Sequence, residues 1–315
     1  MVGIGSPGTV GGHVLPGVMI LALGIHQAFG TCRLLLAHNN RPSRSWYPAP
    51  WPYGCAIRPD WPVEPVLKVL GAGLGFIVEI YAKALPSLDP RRTFWRPLHE
   101  GPDGRIVPGH IELWAHATMY LSFILVGMTE LYGVLLLRCR TGGRDPANEL
   151  ARVAALAATS LGWGMSSASM LFHSFGQSAV WSRAHLILAG FAGGASVAAA
   201  VEAAAMPAGS ARFAPILRTA CVILQGTWYL KIASMLAHPD VWVNGETGVL
   251  TLPVEMNLQV LGVAFVLLSV YAALGLCIGA TTGRCRTPAA LELSDYEDGV
   301  RRSAECEELE GIAIS

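Results

Sequence analysis

Charge is scarce in this chain. Of its 315 residues, 14% are Asp, Glu, Lys or Arg, against roughly 25% in a soluble domain. The 22 basic residues are balanced by 22 acidic ones. That excludes a nucleic-acid-binding surface, which needs a basic patch or stripe. Lysine is rarer still: Lys68, Lys83 and Lys231 are the only three, each inside or at the end of an apolar stretch. The seven cysteines contain no Cys-x-x-Cys pair and form no disulfide framework. No two histidines share the short His-Glu-x-x-His spacing of a helical zinc motif. The first twelve residues carry no charge, so the basic region of a cleavable signal is missing, and the first apolar stretch reads as an uncleaved signal-anchor.

What the chain has instead is apolar length. Apolar residues make up 52% and the mean hydropathy is +0.45. About 20 apolar residues are needed per crossing, and seven windows meet that length: 13–37, 62–86, 110–137, 149–174, 181–206, 213–238 and 251–280. The expected fold is all-α, a polytopic bundle of seven transmembrane helices spanning residues 13–286. The first is expected to open at Pro16 and the second at Pro62, since a first helical turn tolerates a missing N–H. Helices four and five are rich in small residues, such as Ser166-Ser167-Ala168-Ser169 and Gly193-Gly194-Ala195. Small residues let backbones approach closely in lipid, which predicts a central position for this pair.

Arginine sets the orientation. With residues 1–12 outside or lumenal, eleven loop arginines fall inside and four outside (Arg91, Arg92, Arg96 and Arg105). The C-terminus is then cytosolic. Residues 287–315 are acidic, rich in hydroxyl groups and poor in apolar surface, which predicts a disordered tail. Around Asp295-Tyr296-Glu297-Asp298 it offers a surface for cytosolic sorting adaptors. Cys139 and Cys285 fall beside arginines just cytosolic of helices three and seven, the setting of reversible palmitoylation.

The polar residues inside the apolar windows carry the functional reading. An ionised side chain at the bilayer centre costs a few kcal/mol or more, so such groups turn inward and are used. At about 1.5 Å per residue, Glu79, His116, His173, His185, Lys231 and Asn257 fall in the outer half of the bundle. Glu130 and Glu202 fall in the inner half, and Gln225 lies near mid-depth. The expected pocket is lined by Glu79, His116, Tyr120, Glu130, His173, His185, Gln225, Trp228, Lys231 and Asn257. It would bind or move a lipid-like or small polar ligand, with Glu79, His116 and Glu130 as a titrating relay.

A second reading is a zinc-dependent membrane hydrolase. His116, His173 and His185 supply three imidazoles, the usual nitrogen ligands of a catalytic zinc. Glu79 would be the fourth ligand or the base for a bound water. A third reading is a trafficking or scaffold protein acting through its tail. Against all three stands ordinary interhelical hydrogen bonding, which His, Glu and Gln also provide. Lys231 reads as a lysine snorkelling to the headgroups, and His26 and His238 as packing or interface residues.

Three stretches, Gly12-His13-Val14-Leu15-Pro16-Gly17, His116-Ala117-Thr118-Met119-Tyr120-Leu121 and Leu224-Gln225-Gly226-Thr227-Trp228, resemble the transmembrane protein 45 family. The resemblance runs from about residue 11 to 282 in the order and spacing of helices. It implies a multi-pass protein of Golgi, endosomal or plasma membranes and supplies no reaction. It also implies polar positions at Glu79, His116, Glu202, Arg218 and Gln225, with an acid at Glu130. The family's two His-x-His pairs around the loop between helices four and five are reduced here to His173 and His185. Phe175 and Arg183 stand where their partners would be.

Overall fold

Long apolar runs with their charges held apart become helices because a backbone in hydrocarbon must satisfy its own hydrogen bonds. The computed structural model describes residues 10–40, 62–79, 108–139, 146–205, 213–239, 242 and 246–285. Among them are seven helices and no strand: α1 (Val10–Asn40), α2 (Val63–Ile77), α3 (Pro108–Cys139), α4 (Pro146–His173), α5 (Ala179–Ala205), α6 (Ala214–Ala237) and α7 (Glu246–Cys285). Five contain stretches long and apolar enough to cross a membrane: Val10–Arg33, Trp114–Val134, Ala179–Ala205, Ala214–Ala237 and Thr247–Cys277. The chain is thus a helical, multi-pass membrane protein. The windows expected at 62–86 and 149–174 are not among the five. The described part of α2 has only 15 residues, and α4 dilutes its apolar content with Glu149, Arg152 and several serines.

Prolines mark some helix starts and sit inside others. Pro62 caps α2, accepting a bond from Val66 N at 3.2 Å, and Pro215 lies in the first turn of α6. Pro16, by contrast, does not open α1. The helix begins at Val10 and runs through it, as α7 runs through Pro253. Neighbouring helices and polar side chains can make good the backbone groups a proline frees inside a bundle.

The chain divides after Leu268. One unit holds α1 to α6 and the start of α7; the described part of the other continues α7 from Ser269. In the first unit the helices form a ring in the spatial order α1, α6, α5, α4, α3, α2, which returns to α1 through a thin contact. The α1–α6 side is the tightest. A methyl on Gly226 would lie 2.5 Å from the Leu21 backbone nitrogen, and one on Gly24 would lie 3.0 Å from that of Ile223. Only glycine permits that approach, because any Cβ would meet main chain rather than a side chain that can turn away. Further along the same seam Thr31 and Thr219 share a hydrogen bond of 3.1 Å.

The small residues of α4 and α5 pack these two helices on each other. Ser196 donates to the Ser160 carbonyl at 2.7 Å and Ser167 to that of Ala189 at 2.8 Å. The pair forms one side of the ring rather than a hub. Trp163, Trp228, Leu188, Ile232 and Met235 fill the middle, each almost wholly buried.

Candidate functional site

The ring's up-and-down connectivity brings the start of α1, the end of α2, the start of α3, the end of α4 and the start of α5 to one end. Each delivers a polar residue there. Glu79 follows the last turn of α2, 5% exposed, and accepts a hydrogen bond of 2.9 Å from His116 Nδ1 on α3. The His116 ring lies 5.5 Å from that of His173, and His173 lies 4.8 Å from His185. His13, from the start of α1, completes the group at 5.8 Å from His185 and 6.0 Å from the Tyr229 ring.

The turn joining α4 to α5 sets the closest of these distances. Gly176 adopts φ +75° there, a left-handed backbone that costs glycine nothing. The short reversal sets His173, the last residue of α4, against His185 on the second turn of α5. Gln177 braces it by donating to the His173 carbonyl at 2.9 Å.

Two of these imidazoles are held in one tautomer by their partners. Nδ1 of His185 lies 2.8 Å from the Trp181 carbonyl. A carbonyl only accepts, so Nδ1 carries the proton and Nε2 presents a lone pair. That Nε2 is buried and makes no hydrogen bond. His116 is oriented the same way: its Nδ1 donates to Glu79, and Nε2 remains on the other side of the ring. Trp228 holds α6 against this segment through a 2.9 Å bond from its Nε1–H to the Ala184 carbonyl, next to His185. The floor is apolar and soft. Tyr229 directs its hydroxyl at the sulfurs of Met119 and Met170, at 3.8 and 3.6 Å, and Tyr120 is buried beside them.

Of the residues expected to line a pocket, Glu79, His116, His173 and His185 come together, with Tyr120 and Trp228 packed below. Gln225 lies one turn from Trp228 along α6 and donates to Ser166 Oγ at 3.4 Å. Lys231 stands apart in an ion pair of 2.8 Å with Glu255, its ammonium 4.8 Å from the Trp242 ring. Asn257 is exposed on α7. Cys139 and Cys285 are the last residues of α3 and α7; their side chains and the tail 287–315 lie outside the described residues.

Glu130 is not with the imidazoles. It lies fourteen residues further along α3, about 21 Å at helical rise, in a second polar cluster at the opposite end. Lys68 on α2 bridges it at 2.5 Å to Glu64 at 2.8 Å, and Thr159 on α4 donates to it at 3.1 Å. Gln27 on α1 donates to Glu64 at 2.6 Å. Arg218 on α6 grips Glu202 on α5 at 2.9 and 3.4 Å. Sequence reasoning missed Lys68, Glu64 and Gln27 here, and His13 at the other end. The signal for His13 was its position at the start of an apolar helix, level with Glu79 and His185 once the helices alternate.

Among the described residues, no three His, Cys, Asp or Glu are arranged, as they stand, to hold a metal ion. His13 and His173 each meet His185 edge to face, at 69° and 72°, and His116 and His173 are tilted at 58°. A sequence profile described as "Family of unknown function (DUF716)" matches residues 152–249, about a third of the chain, covering most of α4, α5, α6 and the start of α7. No curated protein matches.

Proposed function

We propose that this protein is a seven-span membrane protein that binds an amphiphile by its polar head in the histidine cluster. The observation that carries the reading is the buried, bondless Nε2 of His185. A buried acceptor left unmatched costs roughly 1–3 kcal/mol, and a ligand hydroxyl or ammonium placed there would satisfy it. Such a head could also meet Glu79 and His116, while its chain lies along the methionine- and tyrosine-lined floor. In this reading α2 and α4 also cross, the N-terminus and the histidine end face the outside or lumen, and the protein resides in Golgi, endosomal or plasma membrane. The alternation of helix directions supports the first of these assignments, and the loop arginines support the second. The resemblance to the transmembrane protein 45 family supports the third.

Native mass spectrometry of the detergent-released protein tests the binding reading. The wild-type chain should retain a bound hydroxyl- or amine-bearing amphiphile that His185→Phe and Glu79→Gln lose. Equal retention by all three would overturn it.

Zinc binding is the second reading, and one observation favours it. His116 and His185 each give Nδ1 to an acceptor, a carboxylate and a carbonyl, as zinc-ligating histidines do when outer partners fix the ring. His173 would be the third ligand and His13 the fourth, with Glu79 the outer partner of His116. Zinc at one per chain that vanishes in His116→Ala would support it; protein free of zinc after purification in zinc-supplemented buffer would remove it.

A further inference from the structure

The cluster at the other end is out of electrical balance. It holds three carboxylates, Glu64, Glu130 and Glu202, against two permanent cations, Lys68 and Arg218, and every one of the five is at most 6% exposed. Lys68 is shared between Glu64 and Glu130, and Arg218 engages Glu202. With all three carboxyl groups ionised, one negative charge would be left over in a region where an uncompensated charge is costly.

The unused bonding capacity lies in the same place. Glu64 Oε2, Glu130 Oε2 and Gln27 Oε1 are buried and make no hydrogen bond. Gln27 is itself wholly buried, and its amide is aimed into the cluster by the bond to Glu64. One residue earlier on α1, His26 offers what the cluster lacks. Its Nδ1 is buried and bondless, 4.0 Å from Glu64 Oε2, while its side chain is 23% exposed. It is the one member of the group that reaches from the surface to the surplus charge.

We propose that this cluster binds one exchangeable proton, taken up by His26 and shared with Glu64. The proton adds to the bare imidazole nitrogen, converting His26 to imidazolium. The ring then closes on Glu64 Oε2 as a charge-assisted hydrogen bond, and the net charge of the cluster goes from minus one to zero. No other reactant is consumed. Imidazole is the side chain that ordinarily changes charge between about pH 5 and 8. The polar and charged groups at this end of the ring come from all six of its helices. On α1 they are Gln27 and Thr31, and on α2 Glu64 and Lys68. On α3 and α4 they are Glu130 and Thr159, and on α5 and α6 Glu202 and Arg218. The next charged residue on α4 is Arg152, two turns before Thr159.

The test is nitrogen-15 NMR of the full chain, histidine-labelled and held in lipid nanodiscs, with the His26 signal assigned by its loss in His26→Gln. As pH falls through that window at fixed sodium, the signal should pass from the neutral to the imidazolium pattern. Glu64→Gln should weaken proton binding at least tenfold. Glu130→Gln keeps the Lys68–Glu64 pair and should weaken it in the same direction, which covers the case in which Glu64→Gln does not fold. Glu79→Gln, at the histidine end, should leave it unchanged, so a failure here is separable from a failure of the amphiphile reading. A His26 ring that stays neutral throughout would overturn the proposal, as would one whose proton affinity ignores both acidic substitutions. So would a signal that follows sodium at constant pH.

Discussion

The two ends of the bundle bury polar groups by opposite means. At one end four imidazoles and a carboxylate meet, and His116 and His173 are part exposed. At the other, three carboxyl groups and two basic side chains lie almost wholly buried and held by short contacts. A neutral ring can go without a partner at a modest cost, whereas a charge in hydrocarbon cannot. The ionic end is therefore held by its ion pairs, with spare capacity at the bondless oxygens beside His26, and the histidine end has a bondless acceptor in His185 Nε2. Stability should reside chiefly at the first and amphiphile binding at the second.

The sharpest way to break that contrast is Lys68→Met, which leaves Glu64 and Glu130 facing each other without their cation. Removing one partner of a buried pair costs about 3–5 kcal/mol, and thermal unfolding in detergent should show the full loss. The triple variant Glu64→Leu, Lys68→Met, Glu130→Leu should recover most of it, because a well-packed apolar replacement of a buried ionic group is often neutral. If the single and triple variants fall equally, the cluster is not a compensated unit. Gly226→Val drives a side chain into the Leu21 backbone and should cost about 1–3 kcal/mol by the same measurement, without changing either cluster's chemistry.

At the histidine end the losses should be smaller and the functional effects larger. Trp228→Phe removes the bond to the Ala184 carbonyl and should cost about 1–2 kcal/mol, together with lower retention of bound amphiphile as His185 shifts. His116→Gln should cost no more than about 1 kcal/mol and yet abolish retention. A His116→Gln protein as destabilised as Lys68→Met would erase the distinction between the two ends.

Much of the fold is written in hydropathy. Helix bounds at α3, α5 and α6 lie within two residues of the apolar windows, because length and apolarity alone decide where a chain can leave water. The depth of each polar residue follows from its count along the helix, so the meeting of His116, His173, His185 and Glu79 was legible. Rotation about the helix axis was not, since an all-apolar helix has no polar face to reveal it. That is why Lys68, noted in the sequence only as lying inside or at the end of an apolar stretch, gave no sign that it points inward to bridge two carboxylates. Joining Glu79 and Glu130 as one relay was a different error, since the count along α3 already set Glu130 about 21 Å from His116.

A ring is only as firm as its thinnest joint, and here that joint lies between α1 and α2. What spans it near the ionic end is the Gln27 amide on the Glu64 carboxylate. The carboxylate that clasps the two helices is also the one beside His26.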